Sequence, residues 1–258
     1  MATITTELVK ELRDATGISV MQCRRALEEA EGDMTKALAI LKKTSSDIAL
    51  KKANREVKDG AVVIKLNGNK AVLMALQCET DFVSKNEDFT SLLSKLADEV
   101  LTSDIEKMKV DAKNMIDGVI QKTGENIQLG DVYIVEGSVL GSYVHNNKSG
   151  VVVSLERGNV ELAKDIAMHI TAMKPEYISK NDINTDAIKM MEEIFSKEVA
   201  SINKPEDIKK KMLEGKISTY FKEKTLLDQP FIKNGDETVG QLLEKAKAKI
   251  KEVKKVSV

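Results

Sequence analysis

Residues 61–86 read AVVIKLNGNKAVLMALQCETDFVSKN and carry the strongest structural signal in the sequence. Two runs of mainly β-branched and aliphatic residues, Ala61 to Leu66 and Ala71 to Gln77, lie on either side of Asn67-Gly68-Asn69. An asparagine-glycine turn between two such runs predicts an antiparallel β-hairpin. The second predicted strand leads into Glu79-Thr80-Asp81-Phe82-Val83, which we interpret as the connection to the next helix.

Phe82 is the residue of this connection that needs an explanation. The chain contains only five Phe and no Trp, and connections usually run over the protein surface. One explanation is that Phe82 and Val83 fold back and anchor the next helix. The other is that Phe82 is a rigid wedge that faces a partner.

A helix after this connection would cover one face of the hairpin. From Asp88 onwards, apolar residues recur at helical spacing, at Phe89, Leu92, Leu93, Leu96, Val100 and Leu101. We predict a further helix near Asp111 to Lys122 and a strand from Asp131 to Val135. The hairpin, the connection and the covering helix form one predicted unit of an α+β fold.

The same order of elements recurs further along the chain, which predicts an internal duplication. A strand from Ser138 to His145 and a strand from Val151 to Leu155 precede a helix that begins at Asn159. The second copy joins strand to helix through Glu156-Arg157-Gly158 alone, whereas the first uses Glu79 to Glu87. The longer connection is therefore not needed to build this frame, and long connections often carry function. Both explanations of the aromatic side chain remain open.

A helical bundle is predicted before the hairpin. Residues 3–43 contain three short amphipathic patterns, which are interrupted at Thr16-Gly17 and at Glu31-Gly32. These patterns predict a three-helix docking module. The charged stretch from Thr44 to Asp59 has few core positions and is predicted to be a polar linker, either helical or extended.

Two further helical segments follow the second copy. From Asp182 to Lys224, apolar residues step by three and four on both sides of Pro205, which predicts an antiparallel helical hairpin that projects as an arm. Thr238 is predicted to cap a last helix from Val239 to Val253, whose lysines crowd the C-terminal end.

Charge and hydropathy restrict the class of protein. Forty basic and forty-one acidic residues leave a formal net charge of -1, so overall charge favours neither a nucleic acid nor an anionic membrane as the partner. The first residues lack the basic and apolar pattern of a signal peptide, and no apolar run approaches the roughly 18 residues of a membrane span. We therefore expect a cytoplasmic protein.

Reactive side chains are few, and their spacing matches no common catalytic or metal site. The chain has two histidines, His145 and His169, and two cysteines, Cys23 and Cys78, without an HxxxH, HExxH or CxxC pattern. Phosphate-binding loops and a strained serine turn are also absent from the sequence. We expect no enzyme, metal or cofactor, with both thiols and His169 buried and His145 exposed at a hairpin tip.

Two other functional classes remain open on the residues alone. A scaffold for ubiquitin or RNA would use residues 3–43 or the basic stretch from Lys51 to Lys58. An enzyme would use Asp81 or His169, although no second catalytic group accompanies either residue.

Four groups of residues are distinctive when they are taken together and in order. They are Leu12-Arg13-Asp14-Ala15-Thr16-Gly17 with Met21, Cys23, Ala26 and Leu27; Glu79-Thr80-Asp81-Phe82-Val83; Ala167-Met168-His169-Ile170; and Leu227-Asp228-Gln229-Pro230-Phe231 with Thr238-Val239-Gly240. Together they resemble the bacterial elongation factor Ts family, and the resemblance runs along the whole chain.

This resemblance implies a domain organisation for the α+β fold. It comprises a ubiquitin-associated-like three-helix bundle, two related hairpin-plus-helix core subdomains, an inserted antiparallel coiled-coil hairpin and a C-terminal helix. The corresponding domains are residues 1–54 for the bundle and linker, 55–137 for the first core subdomain, 138–181 with 226–237 for the second, 182–225 for the hairpin and 238–258 for the C-terminal module.

The resemblance also implies a partner and a site. The partner is elongation factor Tu, a GTPase, and the implied activity is release of its GDP so that GTP can rebind. By resemblance, Thr80, Asp81, Phe82 and Val83 displace magnesium from the partner's nucleotide site. Residues Leu12, Arg13, Thr16 and Met21 dock on the GTPase domain, and His145 meets another domain of the partner. No catalytic residue, cofactor, or direct nucleotide, membrane or nucleic-acid binding is implied; a homodimer or a heterotetramer with the partner is left open.

Overall fold

A computed structural model describes residues 4–258 and divides them into two compact units. Unit 1 comprises the described residues up to Glu136, together with Val144–Gly150 and Lys254–Val258. Unit 2 comprises Gly137–Tyr143 and Val151–Val253. Residue 3, with which the predicted bundle begins, lies outside the described residues. The mixture of helices with small antiparallel sheets confirms an α+β fold, whereas the five-domain division stays a prediction.

Three helices open unit 1: α1, Thr6–Thr16; α2, Val20–Glu29; and α3, Met34–Lys52. The side chains of Thr5, Ser19 and Asp33 cap these helices, and each accepts a backbone N–H from the first turn of its helix. Their apolar faces share one core, which contains Val9, Leu12, Ile18, Cys23, Ala26, Leu27, Ala30, Ala37 and Leu41. The predicted three-helix arrangement is confirmed.

Of the two forms predicted for the polar stretch from Thr44, the helical one is found over its first half, where α3 continues to Lys52. Its extra turns pack against a later helix of unit 1, α6, Ile105–Thr123. Ser46 donates a 2.7 Å hydrogen bond to Asp117 of that helix, and the buried Ser45 bonds to Gln121. Polar residues at these contact positions explain why hydrophobic periodicity did not extend the helix.

The hairpin prediction is confirmed, and its sheet gains a third strand. Strand β1, Asp59–Asn67, pairs antiparallel with β2, Lys70–Cys78, around the asparagine-glycine turn. Strand β3, Ile127–Glu136, pairs antiparallel with the other edge of β2, so the order is β1-β2-β3. The third strand begins at Ile127, four residues before the predicted Asp131. Its pairing with β2 changes register between Met74 and Leu76, as at a β-bulge.

Helices on one side complete the core of unit 1. Between β2 and β3 the chain forms a single helical turn, α4, Asp81–Ser84, and two longer helices, α5, Glu87–Thr102, and α6. As predicted, α5 buries its apolar stripe against the hairpin. The buried residues it contributes are Phe89, Leu92, Leu93, Leu96, Ala97 and Val100.

A second sheet contains strands β4, Val139–His145, β5, Ser149–Glu156, and β8, Lys249–Ser257, in the order β4-β5-β8. Helix α7, Val160–Met173, buries Ala163, Ile166, Ala167 and Ile170 in the core of unit 2. Unit 2 also contains the short pair β6, Pro230–Phe231, with β7, Asn234–Thr238, and helix α10, Val239–Lys245.

The predicted last helix is wrong beyond Lys245. Helix α10 ends there, Lys247 takes a left-handed φ of 50°, and the chain continues as β8. The residues after the turn, KIKEVKKV, place β-branched side chains among lysines, a composition suited to a strand at a sheet edge. The same lysines also suit the basic C-terminal end of a helix, and for this reason the sequence predicts a helix there.

The two predicted helices around Pro205 are present in unit 2, whereas their projection as an arm stays a prediction. Helices α8, Thr185–Ala200, and α9, Glu206–Lys224, pack together, with Pro205 immediately before α9. Their direction is antiparallel, because Lys209 bonds to the carbonyl of Ala200 whereas Tyr220 contacts Phe195, 5.9 Å between ring centroids. Among residues 4–258, no helix is both long enough and apolar enough to span a membrane.

Candidate partner-binding site

The aromatic side chain of α4 projects into solvent from an anchored helical turn. Thr80 caps α4, and its hydroxyl accepts the N–H of Val83 at 3.5 Å. Val83 is only 9% exposed and belongs to the unit 1 core, whereas Phe82 is 83% exposed. Successive side chains on a helix point about 100° apart, so burial of Val83 turns Phe82 away from the core. The anchoring explanation therefore holds for Val83 and fails for Phe82.

Asp81 lies beside the exposed ring and carries its own counter-charge. Its carboxylate accepts a 2.7 Å hydrogen bond from Lys85, one helical turn later, and both side chains are largely in water. That bond and the carboxylate's charge raise the pKa of Lys85. An exposed pair of this kind contributes little stability, so Asp81 can exchange Lys85 for another cation or donor at small cost.

His145 ends β4 and is exposed, as predicted, at the start of a tight turn. Asn146 and Asn147 have φ values of 51° and 56°, and the Lys148 N–H bonds to the His145 carbonyl at 2.9 Å. Two left-handed residues with this bond define a type I′ turn, for which asparagine is well suited. The ring Nε2 of His145 lies 3.2 Å from the Asn146 amide nitrogen.

Lys148 fastens this turn to the base of α4 within unit 1. Its ammonium donates to the Asp59 carboxylate, to the Gly60 carbonyl at 2.6 Å and to the Ser84 hydroxyl at 3.3 Å. Burial raises the pKa of Asp59, but hydrogen bonds from Lys148, Ser84 and the Gly60 amide outweigh it and leave that pKa below its ordinary value. The structure thereby brings the turn after His145 next to the last residue of α4.

Of the four predicted N-terminal docking residues, two have exposed side chains and two do not. Arg13 is exposed and Met21 is 61% exposed, beside Val20 at 46%. Leu12 is fully buried in the bundle core, so its side chain packs the bundle and offers no surface for docking. Thr16 is half-buried, and its hydroxyl donates to the Leu12 carbonyl at 2.7 Å and accepts the Ile18 N–H.

The side chain of Lys122 lies near the end of α1 and bonds to the start of α5. Gly17 closes α1 with a left-handed φ of 68°, and the Lys122 ammonium would lie 2.7 Å from a Cβ added there. The same ammonium bonds to Asp88 at 2.7 Å, in the first turn of α5. The first bundle turn and the helix that follows α4 therefore share one contact.

The chain matches a model of a known protein family over residues 79–258, described as "Elongation factor TS". It is also similar to three bacterial proteins named "Elongation factor Ts". The protein of Thioalkalivibrio sulfidiphilus is 40% identical over 96% of this chain and 90% of its own length. That of Hahella chejuensis is 38% identical over 97% and 90%, and that of Escherichia coli K12 is 36% identical over 97% and 89%.

The chain belongs to the elongation factor Ts family. This is a family of translation elongation factors. The matched region begins at Glu79, so it includes Thr80 to Val83 and His145. The predicted N-terminal docking residues lie before the matched region.

A buried contact joins two of the segments on which the elongation factor Ts resemblance rests. His169 is fully buried in unit 2; its Nδ1 accepts the Ile232 N–H at 3.2 Å, which leaves Nε2 to donate to the Gln229 Oε1 at 2.9 Å. Gln229 is oriented by its own bond to the Glu223 carbonyl. Burial lowers the pKa of His169, against the opposing effect of Gln229. The predicted burial of this histidine is confirmed.

Both cysteines are free and buried, as predicted. The Cys78 thiol donates to the Thr80 carbonyl at 3.2 Å. Burial, with the nearby charges of Asp59 and Glu125, raises the pKa of this thiol to about 12. In residues 4–258, no group of three or more His, Cys, Asp or Glu side chains is arranged to hold a metal ion.

Two residues that position α4 were missed by the sequence prediction. Glu125, just after α6, bonds to Thr80, and Lys148 bonds to Ser84. An acidic residue directly after a helix C-terminus is unfavourable for the helix dipole, so Glu125 carries a signal that another contact holds it there. Lys148 lies in a turn of ordinary composition, and we find no local signal for its contacts.

Proposed function

We propose that the chain binds the GTPase elongation factor Tu and promotes release of its GDP by disturbing the magnesium and nucleotide site. The observation that carries this proposal is the exposure of Phe82 on a capped helical turn whose next residue is buried. A large apolar ring held in water gains about 1.5–3 kcal/mol when a partner buries it. Phe82 is the wedge, and Thr80, Asp81 and Val83 are the residues that present it.

The chemistry of magnesium explains why a wedge is enough. Mg²⁺ requires near-ideal octahedral geometry at about 2.1 Å, so a small displacement of one ligand loses much of its binding energy. Coupling between two ligands of one protein is reciprocal, so a factor that weakens nucleotide binding is itself released when fresh nucleotide binds. The factor needs no catalytic residue of its own for this cycle.

The other predicted contacts surround this wedge with docking surfaces. Arg13 and Met21 are the exposed members of the N-terminal patch, and Leu12 and Thr16 act by holding the first bundle turn that presents them. His145 contacts a second domain of the partner. Its turn is fixed to the end of α4 through Lys148, which supports a common orientation of both contacts.

The finer domain organisation is part of the same proposal. The bundle of α1 to α3 is ubiquitin-associated-like, the two core subdomains are related, and α8 with α9 forms an inserted antiparallel coiled coil. Support for the relationship between subdomains comes from the sheet orders β1-β2-β3 and β4-β5-β8, because the second strand of each hairpin is central.

Stopped-flow release of fluorescent GDP from elongation factor Tu tests this function. The wild-type chain is expected to accelerate release, and Phe82→Ala to slow the stimulated rate at least about tenfold, from the lost apolar burial. Val110→Ala removes another exposed apolar side chain, 74% exposed on α6, and serves as the matched control. Equal rates for wild-type and Phe82→Ala would refute the wedge, and no acceleration by the wild-type chain would refute the function.

A further inference from the structure

Every backbone and side-chain polar group of Thr80 has a partner. Its N–H and its hydroxyl both donate to Glu125, at 3.0 Å and 2.6 Å. Its carbonyl accepts the Cys78 thiol and the Ser84 N–H, each at 3.2 Å. A residue held at all its polar groups has little freedom to change the direction of the helix that it begins.

Glu125 supplies most of this restraint through one carboxylate. Oε2 accepts the N–H groups of Glu79 and Thr80, at 3.1 Å and 3.0 Å, and Oε1 accepts the Thr80 hydroxyl. Because the hydroxyl proton is committed to Glu125, a lone pair of that oxygen is left to face the Val83 N–H and cap α4. Glu125 thus sets the orientation of the cap.

A second glutamate makes the reverse contact. The Glu79 carboxylate accepts the N–H of Asn126 at 2.6 Å. Asn126 is 2% exposed, and its amide donates to the Arg55 carbonyl at 2.7 Å. Residues 79–80 and 125–126 are therefore joined in both directions, and the second segment is itself fixed to the chain that precedes β1.

The length of α4 makes such external restraint necessary. A helix of four residues cannot sustain itself, because fixing its first turn costs more than its few hydrogen bonds return. Val83 anchors one side of the turn, while Phe82, at 83% exposure, gains little restraint from packing. The direction of the ring depends on the contacts at the start of α4.

We propose that Glu125 is a positioning residue for Phe82: its three hydrogen bonds to Glu79 and Thr80 hold α4 so that the exposed ring keeps one direction. The effect of Glu125 on GDP release rests on the proposed function, whereas its effect on the orientation of Phe82 does not. Hydrogen bonds to a charged group are strong enough that their loss reduces the ordered population of α4 about tenfold.

The first experiment measures the rotational freedom of the side chain at residue 82 without any partner. The chain contains no Trp and four Tyr, so Phe82→Trp introduces a single indole at this site, which is excited selectively at wavelengths that Tyr does not absorb. In that background, Glu125→Ala is expected to increase the amplitude of fast time-resolved anisotropy decay, and Glu125→Gln to give a smaller increase because one amide oxygen can still accept. Unchanged decay in Glu125→Ala would overturn the proposal.

The second experiment measures stimulated GDP release at one subsaturating concentration of the chain. Glu125→Ala is expected to slow release about tenfold, but to have little further effect in the Phe82→Ala background, because it acts through that ring. An equal loss in both backgrounds would overturn the positioning role. If Phe82→Ala alone left release unchanged, the wedge role of Phe82 would fail, and if the wild-type chain gave no acceleration, the proposed function would fail; in both cases the anisotropy result would still decide whether Glu125 positions residue 82.

Asp104→Ala is the matched control for both experiments. The Asp104 carboxylate caps the opposite end of α6, where it accepts the Lys107 N–H at 2.8 Å. Its removal costs a capping hydrogen bond at the other end of the same helix. Anisotropy and release are expected to match the Asp104-containing parent; a change as large as that of Glu125→Ala would show a general loss of order and overturn the proposal.

Discussion

Val83→Ala tests whether Val83 anchors α4 separately from the proposed wedge role of Phe82. Val83 is 9% exposed within the unit 1 core, so the substitution removes two buried methyl groups. At about 0.8 kcal/mol for each, plus a cavity term, the expected loss is about 1.5–3 kcal/mol of unfolding free energy. A typical folded domain has about 5–15 kcal/mol, so this variant still folds.

Removal of the Phe82 ring is expected to have little effect on stability. Only about a sixth of the Phe82 side chain is removed from water by folding, since the residue is 83% exposed. Phe82→Ala should therefore change the unfolding free energy by roughly 0.5 kcal/mol or less, in line with other surface substitutions. Equilibrium urea unfolding measures both values, and stopped-flow GDP release is then measured where both variants are fully folded.

The two variants are expected to rank in opposite order in stability and in the rate of GDP release. Val83→Ala should lower stability more than Phe82→Ala, and slow exchange less, because it leaves the aromatic ring in place. If Val83→Ala unfolded at the wild-type urea concentration, Val83 would not be the anchor of α4. If Phe82→Ala were the less stable variant, the ring would pack against the protein and the wedge geometry would be wrong.

Two predictions concern packing and pH. Gly141→Ala should destabilise the protein by about 3 kcal/mol or more in urea unfolding, since its new Cβ would lie 2.2 Å from the backbone of Ala163, which belongs to a helix and cannot easily yield. Gly118→Ala is the control, because a Cβ there meets nothing within 4 Å and an alanine in α6 should stabilise the protein by up to about 1 kcal/mol. Equal losses of stability at both sites would contradict the packing argument. Burial lowers the pKa of His169 below 6.5, so the unfolded state binds the proton more readily than the folded state. The contribution of neutral His169 to the unfolding free energy is therefore fully present above pH 6.5 and is lost as pH falls towards the lower folded pKa. His169→Gln should reduce the difference in unfolding free energy between pH 7.5 and 5.5, and an unchanged difference would contradict this.

Hydrophobic spacing predicted most elements, but it failed where long-range contacts replace local pattern. The continuation of α3 beyond Thr44 depends on Ser45 and Ser46, which look like linker residues until α6 supplies their partners. The lysines of the C-terminal strand β8 fit the end of a helix as well as the edge of a sheet, so the sequence predicts a helix that the structure does not form. In both places the deciding energy comes from a neighbouring element rather than from the segment itself.

The candidate site shows the same limit. Residues Thr80 to Val83 and His145 are recognisable by motif, yet the contacts that orient them, from Glu125 and Lys148, lie far away along the chain. Burial also changed the meaning of one predicted contact, because Leu12 has no surface to offer. A motif identifies residues, whereas exposure decides which of them a partner can reach.

By itself, the sequence determined the β1-β2 hairpin, the capped helices of the bundle and the antiparallel arm, because turn residues, caps and periodicity act over a few residues. Only the tertiary structure decided that Val83 is the anchor and that Phe82 faces solvent. Adjacent residues in one helical turn are both apolar, and nothing local distinguishes them. The choice is made by the core that buries Val83 and by the distant side chains that fix the first residue of the turn.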